Sequence, residues 1–237
     1  MSDDIVTHLF EDIPFELNVP ALLKRARVKE GSSNAEDLQR LAVQGAALAR
    51  PKGFYMTAYI TGRGADWIEI EGRRFDSRIL AVNLERPFRV FPYLATCGQE
   101  LQLWAEGIED LAERFWAECV KEQALAAALS YLQEHLDRQY QPGPTSSMNP
   151  GSLADWPIQQ QQALFALFGA RAARIGVRLT ESLLMVPTKT VSGIRFSTSE
   201  HFESCQLCPR DHCPGRRAPY DAGLFESRYQ LDQSGDR

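Results

Sequence analysis

Nowhere does this 237-residue chain run apolar for the ~20 residues that a bilayer span needs. Its first residues, MSDDIVTHLF, have neither the cationic start nor the apolar stretch of a secretory leader, so the expected location is the cytoplasm. Positive charge is also scarce: 26 Lys and Arg against 31 Asp and Glu give a net charge of −5. Such a field repels nucleic acid and anionic membranes, and neither is expected as a partner. No period repeats along the chain, which removes solenoids and propellers. There is no glycine-rich strand-to-helix turn with a following acid, the signature of the common doubly wound methyl-transfer fold. Cysteines are few and odd in number, five, which argues against a disulfide framework.

What is present suffices for an ordinary core at this length. NVPALLKRARV and NAEDLQRLAVQGAALAR predict two helices ahead of any strand, the first begun through Pro20 and the second capped by Asn34. GFYMTAYI, DWIEIEG, RILAVNL and FRVFPYLAT are short runs of aromatic and branched residues, and they read as strands of a mainly antiparallel sheet. From Leu101 to Gln139 the period turns helical, with a break expected near Gly107. Leu125, Leu129, Leu132 and Leu136 share one stripe of that helix and are expected against the sheet, with His135 at the surface. Three prolines and two glycines between Pro142 and Gly151 leave no room for a regular element there. A helix resumes in PIQQQQALFALFGARAA, where Trp156, Phe165 and Phe168 read as core, and strands follow in GVRLTESLLMVP and TVSGIRFS. Ser192 and Gly193 in the last strand are placed to let a ligand or partner approach, while Arg195 alternates to the face opposite Ile194 and reads as solvated. The expected fold is α+β, a single domain with a mainly antiparallel twisted sheet flanked by helices. Its expected divisions are an N-terminal helical segment (1–50), an α+β core (50–200), a cysteine-rich segment (201–225) and a frayed polar tail (226–237).

CQLCPRDHC places Cys205, Cys208 and Cys213 within nine residues. A two-residue gap lets thiolates converge on one soft cation, and Pro209 and Pro214, each following a cysteine, favour turns over helix. The three are therefore expected to ligate one metal site, an iron–sulfur cluster or zinc, both of which accept thiolate. The fourth ligand is left among Cys97, Cys119, His201, His212 and an external group. Cys97 is preferred because it ends a strand in ATCGQE, whereas Cys119 sits in a helix beside Phe115 and reads as packed. The gaps do not match the C-x3-C-x2-C of radical S-adenosylmethionine enzymes.

Several stretches occur in the order of one known family. NPGSLADWPIQQQQALFALFG, IGVRLTESLLMVPTKTVSGIRFS, RRFDSRILAVNL and FPYLATCGQELQLW together resemble the activation domain of cobalamin-dependent methionine synthase, over most of residues 50–200. The resemblance implies an activation-domain fold that presents the methyl group of S-adenosylmethionine to an inactive Co(II) cobalamin. With no room for homocysteine, folate or cobalamin modules, the chain is expected to be a free-standing activation domain whose cobalamin sits on a partner, a corrinoid-binding protein or cobalamin-dependent methyltransferase. The family's R-x-x-P-G-Y loop maps onto Ser147, Met148, Asn149, Pro150, Gly151 and Ser152, and the LTES motif adds Glu181 and Ser182 as cofactor-binding candidates. The loop arginine and tyrosine are both replaced by serine. Losing a charge-assisted contact worth roughly 1.5–3 kcal/mol makes S-adenosylmethionine binding weak by expectation, and Ser147→Arg with Ser152→Tyr is expected to strengthen it. The function expected is reductive activation of a corrinoid-dependent methyltransferase, with an iron–sulfur centre as one source of the electron. The alternative is a zinc-bearing interaction module with the same fold and no ligand chemistry.

Overall fold

The computed structural model describes residues 5–199, 201–213 and 215–230. In chain order the elements are β1 (Thr7–Phe10), α1 (Val19–Ala26), α2 (Ser33–Leu48), β2 (Lys52–Met56), β3 (Ala58–Arg63), β4 (Trp67–Ile70) and β5 (Arg73–Asp76). Next come α3 (Arg78–Asn83), β6 (Arg89–Thr96), α4 (Gln99–Glu106), α5 (Leu111–Tyr140), β7 (Thr145–Met148), α6 (Gln161–Phe168) and α7 (Arg171–Arg174). A two-stranded hairpin, β8 (Arg178–Leu179) and β9 (Met185–Val186), leads to β10 (Thr190–Ser197), and a π-helical turn forms at Phe225–Tyr229. Two expectations shift at the N-terminus. A strand, β1, precedes the helices and pairs with β2, and α2 is capped by Ser32 rather than Asn34, its hydroxyl accepting the Ala35 N–H at 3.3 Å.

Every strand pair is antiparallel, and β6 is the centre of the sheet. One edge of β6 pairs with β10, which in turn carries β7. The other edge pairs with β2 over Tyr93–Thr96 and with β3 over Arg89–Val90, so Pro92 falls opposite the break between those two strands. Alternation sends Phe54, Met56, Leu94, Ile194 and Phe196 to one face, where α3 and α6 cover them. Tyr55, Phe91, Tyr93 and Ala95 go to the other face, under α5. The stripe that α5 buries completely is Val120, Ala124, Ala128, Leu132 and Leu136, while Leu125 and Leu129 flank it half-buried. Small residues there let the helix approach closely, and Gly53 is part of the same fit, since a Cβ would lie 2.9 Å from Leu132 Cδ1 and from the Leu94 carbonyl. His135 is corrected from surface to contact: its Nδ1 shares a 2.7 Å hydrogen bond with the Tyr55 hydroxyl.

Two elements differ in kind from the sequence expectation. RILAVN is helix, not strand, because the Ser77 hydroxyl accepts the Leu80 N–H at 3.0 Å while Asp155 accepts those of Arg78 and Ile79 at 3.2 and 3.0 Å. These bonds satisfy three of the four amides that a helix start leaves unpaired. TSSM between Pro144 and Pro150 is strand, not loop, because it needs only one partner and finds it on β10. The predicted break in the long helix stands at Gly107, between α4 and α5. Among the described residues no helix is long and apolar enough to cross a membrane.

Candidate functional site

Ser147, Asn149, Pro150, Gly151 and Ser152 are contiguous at the end of β7, and most of their polar groups are used to shape the chain. The Asn149 side chain donates to the Tyr93 hydroxyl at 2.9 Å and to the Ser192 carbonyl at 2.6 Å, latching the turn to β6 and β10. Ser152 N–H donates to the Asn149 carbonyl and Gly151 N–H to that of Trp156, with Gly151 at φ +82°, where glycine is the unstrained residue. Gly193 is required for this latch: a Cβ would stand 2.4 Å from Asn149 Nδ2 and 2.5 Å from the Met148 carbonyl. The close approach expected at Ser192–Gly193 is therefore filled by the protein's own turn.

Ser147 lies directly opposite Arg195 in the β7–β10 pair. Arg195 is not simply solvated. Its guanidinium is half-buried, stands 5.8 Å from the Tyr93 ring centre, and makes one long hydrogen bond, 3.3 Å to Thr145 Oγ1. Burial pulls its pKa below the usual arginine range, while Tyr93 and Asp137 act to raise it. No ion pair to it occurs among the described residues. Across a narrow recess from α5 stands Gln133, whose Nε2 donates to both Asp137 carboxylate oxygens at 2.7 Å. Since a carboxylate only accepts, this contact fixes the amide orientation and turns Oε1 away; that oxygen is buried and has no partner. A donor fork and an unmet acceptor thus face one recess floored by Tyr93 and Phe91. Sequence reasoning passed over Gln133, Asp137 and Tyr93; a charge in the middle of a strand otherwise flanked by buried residues was the available signal.

Glu181 and Ser182 occupy the exposed tip of the β8–β9 hairpin. Ser182 Oγ is 3.0 Å from Thr180 Oγ1, and neither side chain hydrogen-bonds to the Ser147–Ser152 loop among the described residues. The cysteine segment is organised by Arg216. Its guanidinium donates to the carbonyls of Cys205 (3.0 Å), Ala218 (3.1 Å), Cys208 (3.0 Å) and Arg210. Burial pushes the Cys205 thiol up, but the backbone N–H groups of Arg217 and Ala218 and the Arg217 charge outweigh it, and the net shift is downward. Among the described residues no three His, Cys, Asp or Glu side chains are gathered as metal ligands. Pro214 and residues 231–237 of the expected tail lie outside the described residues; Tyr229 of that tail is buried.

The preference for Cys97 as fourth ligand is corrected by topology. Cys97 N–H donates to the Lys189 carbonyl at the start of β10, and its buried thiol is pushed up to about 11 by desolvation. The cysteine segment leaves the other end of that strand, where Phe202 N–H donates to Ser146 Oγ at 2.9 Å. Seven steps of extended strand separate the two ends, roughly 23 Å. Cys119 is packed in the core, as read from sequence, and His201 and His212 are exposed.

Residues 108–212 match the family described as "Vitamin B12 dependent methionine synthase, activation domain". A search of curated proteins by sequence finds no match. In three dimensions the chain is similar to the MetH reactivation domain in its crystal structure bound to AdoHcy, with a TM-score of 0.58, 16% identity, and coverage of 86% of this chain and 82% of that one. The chain thus has the activation-domain fold of vitamin B12-dependent methionine synthase, and it resembles that family in sequence over residues 108–212.

Proposed function

We propose that this protein reactivates a cobalamin-dependent methyltransferase, holding an adenosyl amino acid on the face formed by β7, β10 and β6 and presenting it to cobalamin carried by a separate corrinoid-binding partner. The observation that carries the reading is the family match, whose residues 108–212 include the whole Ser147–Ser152 loop and all of β10, on a fold shared with a domain that holds AdoHcy. The chemistry needed is one electron and one methyl group: Co(II) cobalamin plus an electron accepts the methyl of S-adenosylmethionine, giving methylcobalamin and S-adenosylhomocysteine. This chain's part is to bind and orient the methyl donor.

The cysteine segment enters as a second element. Cys205, Cys208 and Cys213 are proposed ligands of one soft cation, an iron–sulfur cluster or zinc, with the fourth position taken by His201, His212 or a group from outside. Their support is the spacing and the Arg216 clasp, which keeps the loop bearing Cys205 and Cys208 closed.

The test is reconstitution. A corrinoid methyltransferase trapped as Co(II) is mixed with this protein, S-adenosylmethionine and a one-electron reductant, and the cobalamin spectrum is followed. Conversion to methylcobalamin only when the protein is present is the expected result. Equal rates with and without it overturn the reading.

A further inference from the structure

We infer that a cleft between the cysteine segment and the chain that follows the Ser147–Ser152 loop is the docking site of the corrinoid-binding partner, taking from it an apolar anchor side chain with a basic residue beside it. The inference rests on the reading that this protein acts on such a partner, and it adds where the partner sits and what its contact segment carries. The cleft has a volume of about 270 Å³ and is walled by Leu153, Leu207, Pro209, Tyr220, Asp221 and Phe225. Leu153 directly follows Ser152, and Leu207 and Pro209 flank Cys208, so an occupant lies beside both the candidate ligand loop and the cysteine turn. Tyr220 and Phe225 are 50% and 45% exposed, yet the stretch that bears them is tied down. Asp221 N–H donates to the Gln206 carbonyl at 2.8 Å, Gly223 N–H donates to Asp221 Oδ1 at 3.0 Å, and Tyr229 at the end of the stretch is buried. Two aromatic side chains are thus presented on one cleft by an anchored turn, which lowers the ordering cost of binding and fits the aromatic enrichment of interface hot spots.

Charge and size select the occupant. Apart from the Tyr220 phenol, the ionisable groups that line the cleft are two carboxylates, Asp155 and Asp221, and no base. Asp155 is spent on the Ser77 hydroxyl and the Arg78 and Ile79 amides, whereas exposed Asp221 accepts only the Gly223 N–H among the described residues. A carboxylate beside an apolar cleft is complementary to a basic residue on the incoming surface, and the net charge of −5 steers the same kind of partner. The volume lies below the ~300–1,000 Å³ of small-molecule sites and suits an anchor side chain. Tyr220, Asp221 and Phe225 fall beyond residues 108–212 of the family match, so this surface is built by the chain's own C-terminal extension.

The experiment titrates the Co(II) corrinoid methyltransferase of the reconstitution assay against the full chain and its variants. Tyr220→Ala with Phe225→Ala should raise the partner concentration for half-maximal reactivation by roughly ten- to a hundredfold, the effect of losing an interface hot spot, and leave the rate at saturating partner unchanged. Tyr220→Phe, which keeps the ring, should behave as the natural protein. Asp221→Lys should slow association with the partner, and Asp221→Asn should flatten its dependence on salt. Circular dichroism and calorimetric titration with S-adenosylhomocysteine should be the same for the double variant and the natural protein, since both rings lie outside the core. If the natural protein reactivates and the double variant needs no more partner than it does, the docking site is refuted and the functional reading survives. Loss of S-adenosylhomocysteine binding in the double variant would assign the cleft to the ligand site instead, and a dimer of the natural chain that the double variant dissociates would assign it to a second copy; either result overturns the inference. If the natural protein brings no reactivation, the functional reading itself falls and the docking site with it.

Discussion

The Asp155 carboxylate accepts the Arg78 and Ile79 amides and the Ser77 hydroxyl, so the start of α3 depends on a residue 77 positions beyond Arg78. No window centred on RILAVN contains that information, which is why its branched residues read as strand. Asp155→Ala should lower stability by about 1–2 kcal/mol, the range for losing a helix cap, while Asp155→Asn, which keeps an acceptor, should lose less. Urea unfolding of the two variants measures the difference, and equal losses would remove the capping role. Cys208 poses the opposite case, since its spacing was plain in the sequence and its chemistry is what needs testing. Cys208→Ser should strip most metal from anaerobically purified protein and abolish any iron–sulfur absorbance near about 400 nm, leaving helical circular dichroism intact. Full metal retention in that variant would end the proposal for the cysteine segment.

At the scale of elements, the alternation in GFYM, FRVFPYLAT and TVSGIRFS was enough to place β2, β6 and β10, because a sheet buried on both faces leaves a dense apolar pattern. The pattern could not reveal which polar residues the packed elements bring together. His8 on β1 and His135 on α5 meet with ring centres 5.0 Å apart, through contacts that join strand to helix. Thr57 donates to the Tyr140 hydroxyl at 2.8 Å, and that hydroxyl shares a 3.0 Å hydrogen bond with His8 Nε2. Burial lowers both histidine pKa values from 6.5, helped by His135 acting on His8 and by Arg138 acting on His135. With folded values below the unfolded one, the unfolded chain binds more protons once the pH falls under about 6.5. The contribution of this cluster is therefore complete above that pH and is lost as pH drops toward the lowered values. Thermal midpoints measured from pH 7.5 to 5 should fall, and less steeply in His8→Gln with His135→Gln. An unchanged slope in the double variant would show that the pair does not govern it.

Across the whole molecule, the division that composition suggests near residue 200 is crossed by packing. Phe202 and Tyr229, on either side of the cysteines, are each 1% exposed and belong to the same apolar cluster as Phe54, Leu94 and Ile194 of the sheet. Tyr229 also donates its hydroxyl to Asn83 Oδ1 at 2.9 Å, tying the π-helical turn to α3. Sequence could mark the cysteine segment as chemically distinct, but aromatic residues spaced 27 apart around polar loops carry no periodic signal that they share a core with the sheet. A segment anchored this way should unfold with the sheet as one cooperative unit. Removing a buried phenylalanine side chain costs about 3–5 kcal/mol through lost transfer energy and the cavity left behind. Phe202→Ala should therefore destabilise the entire fold by that amount, with circular dichroism of the helices and tryptophan fluorescence from buried Trp156 shifting together along a denaturant series. Separate transitions, or a cysteine segment that loosens while Trp156 stays native, would mean that residues 201–230 form an independent module seated on the activation-domain core.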